Sequence, residues 1–77
     1  MTVFELMEDI GINIEHFLNE RGMKQKQLAD KVGVSKSTIS AYINGERLPS
    51  IVTLINICYA LDCEIEDLII LYGDEIE

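Results

Sequence analysis

A chain of 77 residues with 48% apolar content is a single small domain, burying about 60% of the surface its unfolded form exposes. Its net charge of −8 argues at face value against a nucleic-acid partner, and its apolar runs are too short to span a bilayer. Residues 1–20 carry five acids and no Lys or Arg, which excludes a signal peptide, so the reading is a soluble cytoplasmic protein with no membrane role. Cys58 and Cys63 have neither CxxC spacing nor a second pair, so they read as buried free thiols, with no metal site, in a reducing compartment.

The distribution of charge modifies the first impression. All six cations (Arg21, Lys24, Lys26, Lys31, Lys36, Arg47) fall between positions 21 and 47, opposed there only by Asp30 and Glu46, so that segment carries +4. The flanks carry −5 over residues 1–20 and −7 over residues 48–77. A local positive patch attracts phosphate, while the acidic remainder weakens long-range and non-specific attraction.

Taken in order, Thr2–x–x–Glu5 is a capping box that starts a helix at about Val3. Val3, Met7, Ile10, Ile14, Phe17 and Leu18 recur at helical spacing until Gly22, with Phe4 and Leu6 off the stripe. Gly11 interrupts this pattern and admits either a kink or a close packing contact. His16 stands without a carboxylate or cysteine at ligand spacing and reads as a surface or partly packed residue. Gln25 to Val32 makes a second helix with Leu28, Ala29 and Val32 inward, ended by Gly33, the residue that adopts left-handed backbone at least cost. Lys24 and Lys26 at its N-terminus oppose the helix dipole, an arrangement that a docked phosphate would make favourable.

Ser35 caps a third helix, Lys36 to Asn44. At 100° per residue Ile39, Tyr42 and Ile43 fall on one side; Lys36, Ser37, Ser40, Ala41 and Asn44 fall on the other. A helix with a small, polar, cationic outer face fits a groove about 12 Å wide, so the second and third helices read as a helix-turn-helix. Beyond a loop at Asn44–Pro49, Ser50 caps a fourth helix, Ile51 to about Leu61. Its predicted core stripe is Ile51, Leu54, Ile55, Cys58 and Leu61, leaving Val52, Ile57 and Tyr59 as surplus apolar residues. A fifth helix over residues 64–72 aligns Ile65, Leu68, Ile69 and Tyr72, with Ile70 and Leu71 left over, and an acidic tail occupies 73–77. The surplus residues Val52, Ile57, Tyr59, Ile70 and Leu71 predict a twofold interface.

The pattern Gln25–x–x–Leu28–Ala29–x–x–x–Gly33–Val34–Ser35–x–x–Thr38–Ile39–Ser40, then Asn44–Gly45 and Pro49–Ser50, resembles the lambda-repressor-like family that includes Cro and the phage repressors. The likeness runs from about Ile10 to Leu71, and residues 1–8 extend the first helix beyond the family's usual start. It implies an all-α, compact five-helix bundle spanning 1–77 as one domain. It also implies DNA binding without a cofactor, a small-molecule substrate or an enzymatic role. In that family's mode of binding, Lys36, Ser37, Ser40 and Ala41 would meet base edges. Gln25, Thr38, Asn44 and Arg47 would hold the phosphate backbone, joined by Lys24 and Lys26. Gln25 would also brace the start of the recognition helix. Ala41, Ile43 and Glu46 depart from the family's common choices and thin the base readout. The expected function is that of a dimeric transcriptional repressor of bacterial or phage type on a near-palindromic operator. The alternative is a protein-interaction module, antitoxin-like or anti-repressor, whose acidic flanks bind a basic protein.

Overall fold

A computed structural model describes residues 1–69. Five helices follow one another: α1 (Val3–Arg21), α2 (Gln25–Val32), α3 (Lys36–Ile43), α4 (Ile51–Leu61) and α5 (Ile65–Leu68), and the described residues contain no strand. The caps that the sequence advertises set the boundaries. Thr2 Oγ1 accepts from the Glu5 N–H at 3.1 Å, and the Thr2 hydroxyl donates to the Glu5 carboxylate at 3.3 Å. Gly22 closes α1 in the left-handed region, its φ of 62° being one that costs glycine little. Ser50 caps α4 by accepting from the Thr53 N–H. The sequence reading carries the fifth helix over 64–72, but α5 ends at Leu68, where Ile69 turns extended at φ −111° and ψ 102°; residues 70–72, like the acidic tail, lie outside the described residues.

The core is drawn from every helix: Ile10, Ile14 and Leu18; Leu28 and Ala29; Ile39 and Tyr42; Leu54, Ile57, Cys58 and Leu61; and Leu68. The predicted stripe of α1 is buried in its middle. At its start Val3 is half exposed, because the first turn runs beyond the helices it packs on, while Leu6, placed off the stripe, packs partly on the core. His16 lies at the surface and does have a carboxylate neighbour, Glu20, at 3.4 Å one turn on.

The packing of α4 corrects the sequence reading. Ile57, expected at the surface and in the twofold interface, is wholly buried, whereas Ile51 and Ile55, expected in the core, are 62% and 44% exposed. The buried set Leu54, Ile57, Cys58 and Leu61 keeps a three-one-three spacing, and its centre lies roughly 50° around the helix from the predicted stripe. A helix apolar nearly all round offers two adjacent stripes of similar quality. The choice belongs to its neighbours α1, α2 and α5, which enclose the Ile57 side.

Two long-range ties join the ends of the bundle. Asn13 Nδ2 donates to the Leu68 carbonyl at 2.9 Å. Arg21 donates to the carbonyls of Leu61 (2.9 Å) and Asp62 (3.2 Å), satisfying the C-terminus of α4, and lies over the Phe17 ring at 5.3 Å. The thiols of Cys58 and Cys63 are free. Burial raises the Cys58 pKa from its ordinary value; for Cys63, burial followed by the neighbouring Cys58 pushes it up to about 12. Both remain protonated at neutral pH.

Gly11 is the tightest point in the bundle. α1 is continuous through it, without a break, and a Cβ there would stand 2.5 Å from the Tyr42 carbonyl oxygen and closer still to that of Ile43. Gly11→Ala would gain about 1 kcal/mol of helix propensity but force two backbones apart. A net loss of about 2 kcal/mol is expected, read as a lower urea midpoint. An unchanged midpoint would show that α1 can move away from α3 without penalty.

Candidate nucleic-acid interface

The turn between α2 and α3 is built as a helix-turn-helix requires. Gly33 has φ 82° and returns its N–H to the Ala29 carbonyl at 2.8 Å, and the Val34 N–H reaches the same oxygen at 3.0 Å. Ser35 Oγ accepts from the Thr38 N–H at 3.1 Å and exchanges hydrogen bonds with the hydroxyls of Ser37 and Thr38. Leu28, Ala29 and Ile39 are buried between the two helices, and small Ala29 permits the close crossing.

On α3, Ile39 and Tyr42 face the core and Ile43 is half-buried against it. Outward, Lys36, Ser37 and Asn44 are exposed and Ser40 and Ala41 half-exposed. Lys36 also shares a depression of about 490 Å³ with Lys24, Gln25, Lys26 and Glu15. Three cations spaced along the sequence are thereby brought to one place, at the N-termini of both helices. Lys24 is the N-cap of α2 and has no acceptor to offer the first-turn N–H groups. Its own N–H is taken by Gln27 Oε1 at 2.7 Å. Lys26 Nζ lies 3.7 Å from Asp30, with both side chains exposed.

Gln25 is placed differently from the expected bracing of the start of α3. Its Oε1 accepts from the Ser40 hydroxyl at 2.6 Å, one turn into the helix. With the Ser40 proton directed at Gln25, the Ser40 oxygen is left as an acceptor and the Gln25 NH₂ group as a donor. Thr38 and Arg47 line a second depression, of about 620 Å³, together with the two capping serines Ser35 and Ser50. The N-termini of α3 and α4 thus open beside an arginine, a combination suited to a phosphate oxygen. Asn44 and Glu46 are exposed on the connecting loop, which turns at Gly45 with φ 72°.

The remaining two cations point elsewhere. Arg21 serves the α4 carbonyls described above, and Lys31 lines a groove with Asn56 and Tyr59. Neither assignment has a local sequence signal, because each depends on how α4 is turned. Of the residues expected in a twofold interface, Val52 and Tyr59 are exposed at 64% and 82%. Ile57 is excluded by burial, and Ile70 and Leu71 lie outside the described residues. Ile51 and Ile55 are exposed beside Val52 and Tyr59, making an apolar face on a helix with no charged residue. Among the described residues no three His, Cys, Asp or Glu side chains converge as metal ligands, and no helix is long and apolar enough to cross a membrane.

The chain is 40% identical over 62 residues to an HTH-type transcriptional regulator of Methanothermobacter thermautotrophicus, covering 79% of this chain and 90% of the relative. It is 33% identical over 57 residues to the HTH-type transcriptional regulator YqaE of Bacillus subtilis, covering 74% of this chain and 49% of YqaE, so it spans about half the length of that relative. Among solved structures, the restriction-modification controller protein C.AhdI from Aeromonas hydrophila superposes with a TM-score of 0.77 at 26% identity, over 80% of this chain and 94% of that one. A chain of the SinR protein/SinI protein complex superposes with a TM-score of 0.75 at 29% identity, over 88% and 67%. The helix-turn-helix family HTH_3 matches residues 14–68, a span that holds α2, α3 and α4 whole, and the chain belongs to that family of transcriptional regulators.

Proposed function

We propose that the chain acts in the cytoplasm as a homodimer on a near-palindromic DNA operator, repressing transcription by occupying the site. The observation that carries this reading is the gathering of Lys24, Lys26 and Lys36 with the Gln25 amide at the paired N-termini of α2 and α3. Backbone anchoring falls to Lys24, Gln25, Lys26, Thr38, Asn44 and Arg47, and base contact to Lys36, Ser37, Ser40 and Ala41. Lys36 can donate to guanine O6 and N7, and the Ala41 methyl can meet thymine. Ser40, with its proton held by Gln25, favours a base-edge donor such as cytosine N4 or adenine N6.

Dimerisation is supported by the α4 face. Ile51, Val52, Ile55 and Tyr59 lie within roughly 100° of arc on a helix that carries no charge. For subunits that each carry −8, an uncharged apolar face is where self-association meets least repulsion. Such a dimer would set two recognition helices about 34 Å apart, one turn of DNA.

Salt dependence tests the DNA reading. Three or four contacts per subunit, drawn from Lys24, Lys26, Lys36 and Arg47, give an expected slope magnitude of about 5–7 for log affinity against log salt in a dimer. Replacing Lys24 and Lys26 by Ala should lower that slope by about 3–4 in a dimer while leaving the fold intact by circular dichroism. No duplex bound from a random pool at about 50 mM salt would remove the reading.

Base reading is tested separately. Lys36→Ala should weaken the preferred site by about 1–3 kcal/mol and relax one position, whereas Arg47→Ala should weaken all sequences alike. Equal, sequence-blind losses would take base reading from Lys36.

Assembly is tested by Val52→Asp combined with Tyr59→Asp. Both positions are exposed, so the folded variant should sediment as a monomer where the wild type is a dimer. A wild-type monomer at high micromolar concentration, with and without DNA, would refute the interface.

A further inference from the structure

The outer face of α1 lies outside the core and the proposed dimer surface, and it meets the proposed DNA surface only at Glu15, which borders the lysine depression. Phe4, Glu8, Ile12 and Glu15 fall within roughly 80° of arc on it, with Glu5 at its edge. Phe4 is 73% and Ile12 64% exposed, and the acids beside them are exposed as well. No Lys or Arg occurs before Arg21, and the cations that meet one end of this face are Lys24, Lys26 and Lys36, which line a depression together with Glu15. Large apolar side chains standing among carboxylates that form no ion pair among the described residues fit a surface covered by something apolar and cationic.

We propose that this face docks a cationic amphipathic helix of another protein, with apolar side chains over Phe4 and Ile12 and Lys or Arg opposite Glu5, Glu8 and Glu15. The carboxylates select among occupants. A second copy would bring an identical acidic face against this one, and nucleic acid or an anionic bilayer would meet the same repulsion. The contrast with α4 is direct, since that face is apolar without charge and is the one proposed above for self-association. The proposal does not rest on DNA binding, because Phe4, Glu5, Glu8 and Ile12 are given no part at the operator and Glu15 only borders the lysine depression.

The test titrates the isotope-labelled full chain with a synthetic amphipathic peptide bearing Leu on one face and Lys beside it, and with a scrambled peptide of the same composition. The ordered peptide should bind at least roughly tenfold tighter than the scrambled one, with NMR shifts confined to Phe4, Glu5, Glu8, Ile12, Glu15 and their neighbours. The F4A/I12A variant, altered only at exposed positions, should lose roughly tenfold in affinity, and E8Q/E15Q should lose affinity and salt dependence together. Equal binding of ordered and scrambled peptides would reduce the effect to net charge and overturn the proposal. Shifts mapping to Val52 and Tyr59 instead would do the same. Wild-type self-association abolished by F4A/I12A would assign the face to a second copy and also overturn it.

Discussion

The backbone contact between α1 at Gly11 and the last carbonyls of α3 is the constraint on which the functional face depends. An eight-residue helix has too few internal hydrogen bonds to hold itself in water, so α3 must be held from outside. Gly11 lets α1 reach the Tyr42 and Ile43 carbonyls at its C-terminal end. Gln25 binds Ser40 at its middle, and the Gly33 turn with the Ser35 cap fixes its start. Three independent restraints on eight residues leave the outer side chains as the only free part. A side chain at position 11 would loosen one end and leave α3 pivoting about the turn.

The order of helices and most of their boundaries were legible because capping chemistry is local. Thr2, Gly22, Gly33, Ser35 and Ser50 act within a few residues of themselves, and each ends or starts a helix where its sequence position says. The gathering of Lys24, Lys26 and Lys36 in one depression is not local in this sense: the turn joins the C-terminus of α2 to the N-terminus of α3, whereas Lys24 and Lys26 lie at the opposite end of α2, so it depends on how the helices cross.

What was not legible depends on rotation and on pairing across the chain. Periodicity measures how apolar a face is relative to its opposite, and α4, with Ile, Val, Leu and Tyr on nearly every side, provides almost no opposite. Periodicity therefore points Ile57 outward and Ile51 inward, the reverse of what three packing helices enforce. Arg21 belongs to a basic segment by position but not by direction, since only the placement of the α4 C-terminus reveals the carbonyls it serves. Gln25 and Ser40 are fifteen residues apart, and nothing in either residue type announces that one would consume the proton of the other. Each of these failures lies where a tertiary partner, rather than a local propensity, decides the outcome.

The two charged faces meet at Glu15, which shares its depression with Lys24, Lys26 and Lys36. With a Debye length of about 8 Å at physiological salt, exposed acids beyond that reach act weakly on a phosphate at α2. Glu15 acts strongly, being next to the cations themselves. The acidic face of α1 therefore restrains affinity for any anion at the helix N-termini, specific or not, and favours partners that recover the loss through directed contacts. A cationic helix on α1 that neutralised Glu15 without covering Lys36 would lift this restraint and strengthen phosphate binding. Thermodynamic linkage requires the same factor in return, so bound DNA would hold that helix more tightly by an equal amount. A partner that instead extended over Lys36 would compete with DNA, and the sign of the coupling would be set by where the partner stops along α1.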